Sequence, residues 1–161
     1  MGLRGPEGPR GPQGEAGPAA TAVCVSLLNV SCKTLCNSEP VVLDGEVMPL
    51  PTVEYNNGFA VLNPYKLHVR HTGFYLLNYG VRFAVPMAGA HLALSINGEI
   101  RPCTILSAGM FMAEAQLSHT SILQLAEGDV LEMHVYGECV KTSCLVLNEG
   151  VGAHLTLIKL A

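Results

Sequence analysis

Glycine stands at positions 2, 5, 8, 11, 14 and 17, so the chain opens on the triplets GLR, GPE, GPR, GPQ, GEA and GPA. A strict period of three is what three intertwined polyproline-II strands demand, because the crowded axis of a triple helix leaves no room for a Cβ at every third residue. A flexible Pro/Gly linker would have no reason to hold six glycines in register. Gly2, Gly5, Gly8, Gly11, Gly14 and Gly17 therefore predict a collagen-like, trimerising segment over residues 1–19. At ~3.1 Å per residue it spans roughly 55 Å, enough for a stub of a stalk. Six triplets are marginal alone, so residues 20–161 are expected to fold into a head that helps hold three chains together.

Beyond Ala20 the composition turns apolar and β-branched, punctuated by Asp44-Gly45, Asn57-Gly58, Thr72-Gly73, Ala88-Gly89, Asn97-Gly98, Glu127-Gly128, Tyr136-Gly137 and Glu149-Gly150. Turn signals this regular predict many short antiparallel strands. With 49% hydrophobic residues in 161, one domain can bury a real core. From Phe74 to Val85 the odd positions read Tyr75, Leu77, Tyr79, Val81, Phe83 and Val85, while the even ones include Asn78, Gly80 and Arg82. That alternation gives one strand face to the core. Leu92, Leu94 and Ile96 form the same pattern in the next strand, and Leu131, Met133 and Val135 in a later one. Asn97-Gly98, between Leu92–Ile96 and Glu99–Ile105, is a two-residue hairpin signal. Met110–Leu117 lies between strand-like segments and reads as strand.

Only 14% of residues are charged and the formal net charge is -4, so no basic patch invites nucleic acid or anionic lipid. No apolar run approaches the ~20 residues that span a bilayer. The start at Met1-Gly2-Leu3-Arg4 has no secretory signal, which implies either a trimmed signal or export without one. No Gly-x-Ser-x-Gly elbow, His-Glu-x-x-His helix or phosphate-cradling glycine loop is present, so no catalytic residue, cofactor or metal is assigned and the chain reads as a non-enzyme. The six histidines are scattered among the strands, and His68 and His71 are spaced to point to opposite strand faces. None of the six cysteines forms a C-x-x-C pair. Two readings stand equal. In one, Cys139 and Cys144 bridge to staple a loop, while Cys24, Cys32 and Cys36 link subunits or neighbouring trimers; in the other, they are buried free thiols.

His71-Thr72-Gly73-Phe74-Tyr75-Leu76-Leu77, then Leu92 to Gly98, then Ser121 to Leu131 and the closing Gly152–Leu160 occur in an order that resembles the jelly roll of complement-type globular heads and the tumour-necrosis-factor group. With the Gly-X-Y start, the chain is similar to the bacterial collagen-like glycoproteins of the spore exosporium, those of the hair-like nap. The resemblance implies an all-β, two-sheet antiparallel jelly roll of about ten strands that forms a homotrimer around a threefold axis. On that pattern Phe74, Leu76 and Asn78 face the axis from one strand, and Ser118 and Thr120 approach it from a second. Leu155, Leu157, Ile158 and Leu160 make the final strand apolar on both faces, which leaves its inward face open. The implied function is a non-enzymatic structural and interaction protein, the trimeric head of a collagen-like filament on a bacterial spore or cell surface. Its partners are its own copies, with other surface-layer proteins or host surface molecules beyond them. The alternative is a receptor-binding module, such as a phage tail-fibre tip or a host-directed ligand. Six cysteines and so few triplets depart from the nap pattern.

Overall fold

The alternation that starts at Tyr75 becomes a ten-residue strand, and the rest of the head is built of similar pieces. The computed structural model describes residues 22–29, 34–36, 42–83, 86–111, 115–139, 144–146 and 151–161. The Gly-X-Y segment, Cys32 and Val85 lie outside the described residues. Numbered in chain order, one sheet contains β1 (Cys24–Asn29), β4 (Thr52–Asn57), β7 (Gly73–Arg82), β11 (Gln116–Leu125) and β14 (Ala153–Lys159). Its spatial order is β11-β7-β14-β1-β4, antiparallel throughout. The second sheet contains β3 (Val42–Val47), β5 (Phe59–Asn63), β6 (Lys66–Val69), β8 (Met87–Ile96), β9 (Glu99–Ile100), β10 (Leu106–Phe111) and β12 (Val130–Cys139). It runs β10-β8-β12-β6-β5, with β3 also paired to β12 and β9 to β8. β2 (Thr34–Cys36) and β13 (Cys144–Val146) form a separate two-stranded ribbon. Among the described residues the two sheets thus hold twelve strands where the sequence suggested about ten, short pieces such as β9 adding to the number.

The inner faces meet in one core. Tyr75, Leu77, Tyr79, Val81 and Phe83 are at most 1% exposed and belong to the same buried cluster as Leu92, Leu94, Leu131, Met133 and Val135. Each such side chain contributes about 1.5–3 kcal/mol by leaving water. The buried phenols need partners: Tyr75 Oη donates to the His71 carbonyl at 2.6 Å, and Tyr79 Oη to the Thr104 carbonyl. Burial raises both phenol pKa values, that of Tyr79 to about 12, so both stay protonated donors at ordinary pH.

Asn97 (φ 55°) and Gly98 (φ 82°) take the left-handed conformations that a tight hairpin demands, as the sequence pattern expects. Asn97 also fastens its turn to the next one. Its amide donates to Asp129 Oδ1 at 2.8 Å and its Oδ1 accepts from the Val130 N–H at 2.9 Å, while Asp129 Oδ2 accepts from the Ala126 N–H at 2.8 Å. The second arm of the hairpin is shorter than the predicted Glu99–Ile105. Pro102 has no N–H to give a ladder, and Pro102–Thr104 forms a 3-10 turn instead. Thr104 Oγ1 makes the turn part of the sheet, accepting from the Leu94 N–H at 2.9 Å and donating to the Arg101 carbonyl at 2.7 Å. Met110–Leu117 is divided between the end of β10 and the start of β11, with 112–114 outside the described residues.

Gly80, in the middle of β7, is fixed by close packing. A Cβ there would lie 2.7 Å from His154 Cε1 and 2.8 Å from the Leu117 carbonyl oxygen, so β11 itself would have to move. Gly80→Ala is expected to destabilise the head by about 1–3 kcal/mol, measured as a lower urea midpoint. Gly109→Ala, where nothing lies within 4 Å of the added Cβ, should leave the midpoint within about 0.5 kcal/mol of the parent.

Candidate subunit interface and cysteine pairs

Because strand side chains alternate, every residue of β7 that is not in the core must stand on the opposite surface of its sheet. The register carries that parity across the neighbours. Leu76 lies opposite Ile122 of β11 and Ile158 of β14, and Ile158 lies opposite Cys24 of β1. Asn78 lies opposite Thr120 and Thr156, and Gly80 opposite Ser118 and His154. The five residues expected at the threefold axis, Phe74, Leu76, Asn78, Ser118 and Thr120, therefore share one outer face. Phe74 is 49% exposed, Ile122 59%, Ile158 40% and Leu160 53%. Leu76 is half-buried among them.

The final strand also resolves. Leu155 and Leu157 are buried in the core, while Ile158 and Leu160 stand outside. Sequence alone could not choose because both faces are apolar; the pairing of Ile158 with Leu76 decides it. Ile122 was missed as a member of this face, while the facing of Ile158 and Leu160 was left open. Ile122 was legible, since it follows Ser118 and Thr120 at the strand period of two.

A polar ladder runs beside the apolar row. His154 Nε2 meets Asn78 Oδ1 at 2.9 Å, and the Asn78 amide donates to Thr120 Oγ1 at 2.8 Å. An amide oxygen only accepts, so Nε2 carries the imidazole proton. Burial lowers the His154 pKa below its ordinary value of 6.5.

The described cysteines fall in four places, one of them the Pro102–Thr104 turn, where Cys103 is an exposed free thiol. Cys24, first in β1, is a half-buried free thiol on the outer face beside Ile158. Cys139 ends β12, where its register partner is Met87. Cys144 begins β13, and its register partner is Cys36, the last residue of β2. A Cys139–Cys144 bridge is one of the two readings the sequence leaves open; in the ladder the residue opposite Cys144 is Cys36. Among the described residues no three His, Cys, Asp or Glu side chains gather as a metal site would require.

The same fold is found among solved structures. That of murine APRIL at pH 8.5 has a TM-score of 0.57 and 18% identity, covering 87% of this chain and all of that one. That of Eiger TNF from S. frugiperda has a TM-score of 0.53 and 16% identity, covering 87% of this chain and 93% of that one. The fold is thus the tumour-necrosis-factor-like jelly roll. Among curated proteins no sequence match to the chain was found. Residues 32–161 match the model of the BclA C-terminal domain. The chain belongs to the BclA C-terminal domain family. That family comprises heads of collagen-like exosporium proteins, in keeping with the resemblance read from the sequence. The BclA-type head extends beyond the matched stretch, because β1 is hydrogen-bonded between β14 and β4.

The depressed His154 pKa sets a pH response for the BclA-type head. The unfolded chain takes up a proton more readily than the folded one, so the stability tied to this group is full above about pH 6.5 and is lost as pH falls through the folded value. Melting temperature should fall on acidification from about pH 7.5 to about pH 5. His154→Gln, which cannot titrate, should show a shallower fall over the same range by differential scanning calorimetry.

Proposed function

We propose that this chain is the non-enzymatic, trimeric head of a collagen-like filament displayed at the spore surface. One observation carries the reading: Phe74, Leu76, Ile122, Ile158 and Leu160 expose a continuous apolar row on the outside of a fully formed sheet. A contiguous patch of this kind on a folded surface marks an interface. Cyclic symmetry brings the same surface region of every copy to the axis, and three copies match the three strands that a Gly-X-Y segment requires. The order of the chain supports the reading. The Gly-X-Y segment precedes β1, and β1 belongs to the sheet that bears the apolar row, so three copies turned with that sheet toward an axis would start their heads near one another.

In such an assembly the row supplies the apolar contact, and the His154–Asn78–Thr120 ladder supplies polar groups of fixed orientation beside it. Membership of an exosporium protein family supports the surface location and a structural role. The partners are then two further copies of the chain, with the other faces of the head left for neighbouring surface-layer proteins or host molecules.

Light scattering on the full chain should give three times its 17.0 kDa mass. Replacing Phe74 and Leu76 together by Asp puts two charges into the row and should yield a folded monomer with an unchanged β-type circular dichroism spectrum. A monomeric parent chain would sink the proposal.

A further inference from the structure

The ribbon of β2 and β13 brings together two cysteines that lie 108 positions apart in the sequence, at 36 and 144. β2 lies on the chain between β1 and β3, and β13 between β12 and β14, so the two strands belong to two crossings from one sheet to the other. Both ends of these crossings are anchored. At one end Asn29 pairs with Ala153 in the first sheet; at the other, Val42 pairs with Glu138 in the second. Between the anchors the ladder reads Thr34 with Val146, Leu35 with Leu145 and Cys36 with Cys144.

We propose that Cys36 and Cys144 form an intrachain disulfide that staples this ribbon. Directly opposite residues of an antiparallel pair have Cα atoms about 4.5 or 5.5 Å apart, depending on whether the pair is hydrogen-bonded, and both spacings fall within the ~4.4–6.8 Å that a disulfide spans. The ribbon also has a physical need for it. Three pairs of residues in a ladder that has two strands among the described residues are marginal in water, and a covalent link at one end would offset that. A head carried outside the cytosol meets the oxidising conditions in which such a bond persists. The bond forms by exchange with an external low-molecular-weight disulfide. One cysteine thiolate attacks it and releases one small thiol; the second thiolate attacks the mixed disulfide and releases the other. The two protein thiols are oxidised, the external disulfide is reduced to two thiols, and both protons leave with them. The proposal concerns one chain and holds whatever its oligomeric state.

The test exposes the full chain to oxidised glutathione, alkylates free thiols, digests without reduction and maps the linked peptides by mass spectrometry. A Cys36–Cys144 peptide is expected, sensitive to reductant. Because the bond closes a loop of more than 100 residues, reduction should lower the melting temperature by on the order of 10 °C. Cys36→Ser, Cys144→Ser and the double replacement should each lose that same increment, while Cys139→Ser keeps it. Recovery of Cys36 and Cys144 in alkylated form after oxidation would overturn the proposal. So would a link from Cys144 to Cys139, or one between two chains.

Discussion

β14 is the strand on which the head depends. It is the last strand in the chain, yet it lies in the middle of its sheet, hydrogen-bonded to β7 on one side and β1 on the other. Three segments drawn from the start, middle and end of the head are thereby joined in one ladder. Such pairings between distant segments are costly in loop entropy, a cost that the ladder and the core beneath it must offset. The same ladder sets the parity of every neighbour: Leu155 and Leu157 go into the core, and Ile158 goes out beside Leu76.

A sheet so closed has two different apolar faces. The inner one is satisfied by the second sheet through Tyr79, Leu94 and Met133, among others. The outer one has no partner among the described residues, where Phe74 and Ile122 are 49% and 59% exposed. Gly80 serves the outer face, since its missing Cβ leaves room for His154 of β14 and for β11 on either side of β7. Close packing inside the sheet and an ordered polar ladder on its surface therefore come from one residue choice.

Sequence reading reached the fold class because β7 alternates so cleanly and because Asn97-Gly98 can form little else but a tight turn. It also found Phe74, Leu76, Asn78, Ser118 and Thr120 on one face. It missed what depends on distant pairing. β14 is apolar on both sides, so its facing waits on its neighbours, and Cys36 becomes the partner of Cys144 only when two sheet crossings run side by side. Pro102 was visible in the sequence, but the 3-10 turn around it depends on Thr104 bonding to Arg101 and to Leu94, a strand away.

The antiparallel pairing of β1 with β14 also gives the head a direction. Ala22 and residue 161 lie at one end of the sheet, where the Lys159 N–H donates to the Val23 carbonyl and the Phe74 N–H to the Ala161 carbonyl. Asn29 and Ala153, which lead toward the ribbon, lie at the other end, about 20 Å away by the rise of a six-residue strand. If a stalk joins at Ala22, as proposed, the end of the sheet that leads to the ribbon is the one farther from the surface the stalk grows from. In that arrangement the end of the head bearing Cys36 and Cys144 would lead, and Ala161 would sit beside the stalk at the base of the head.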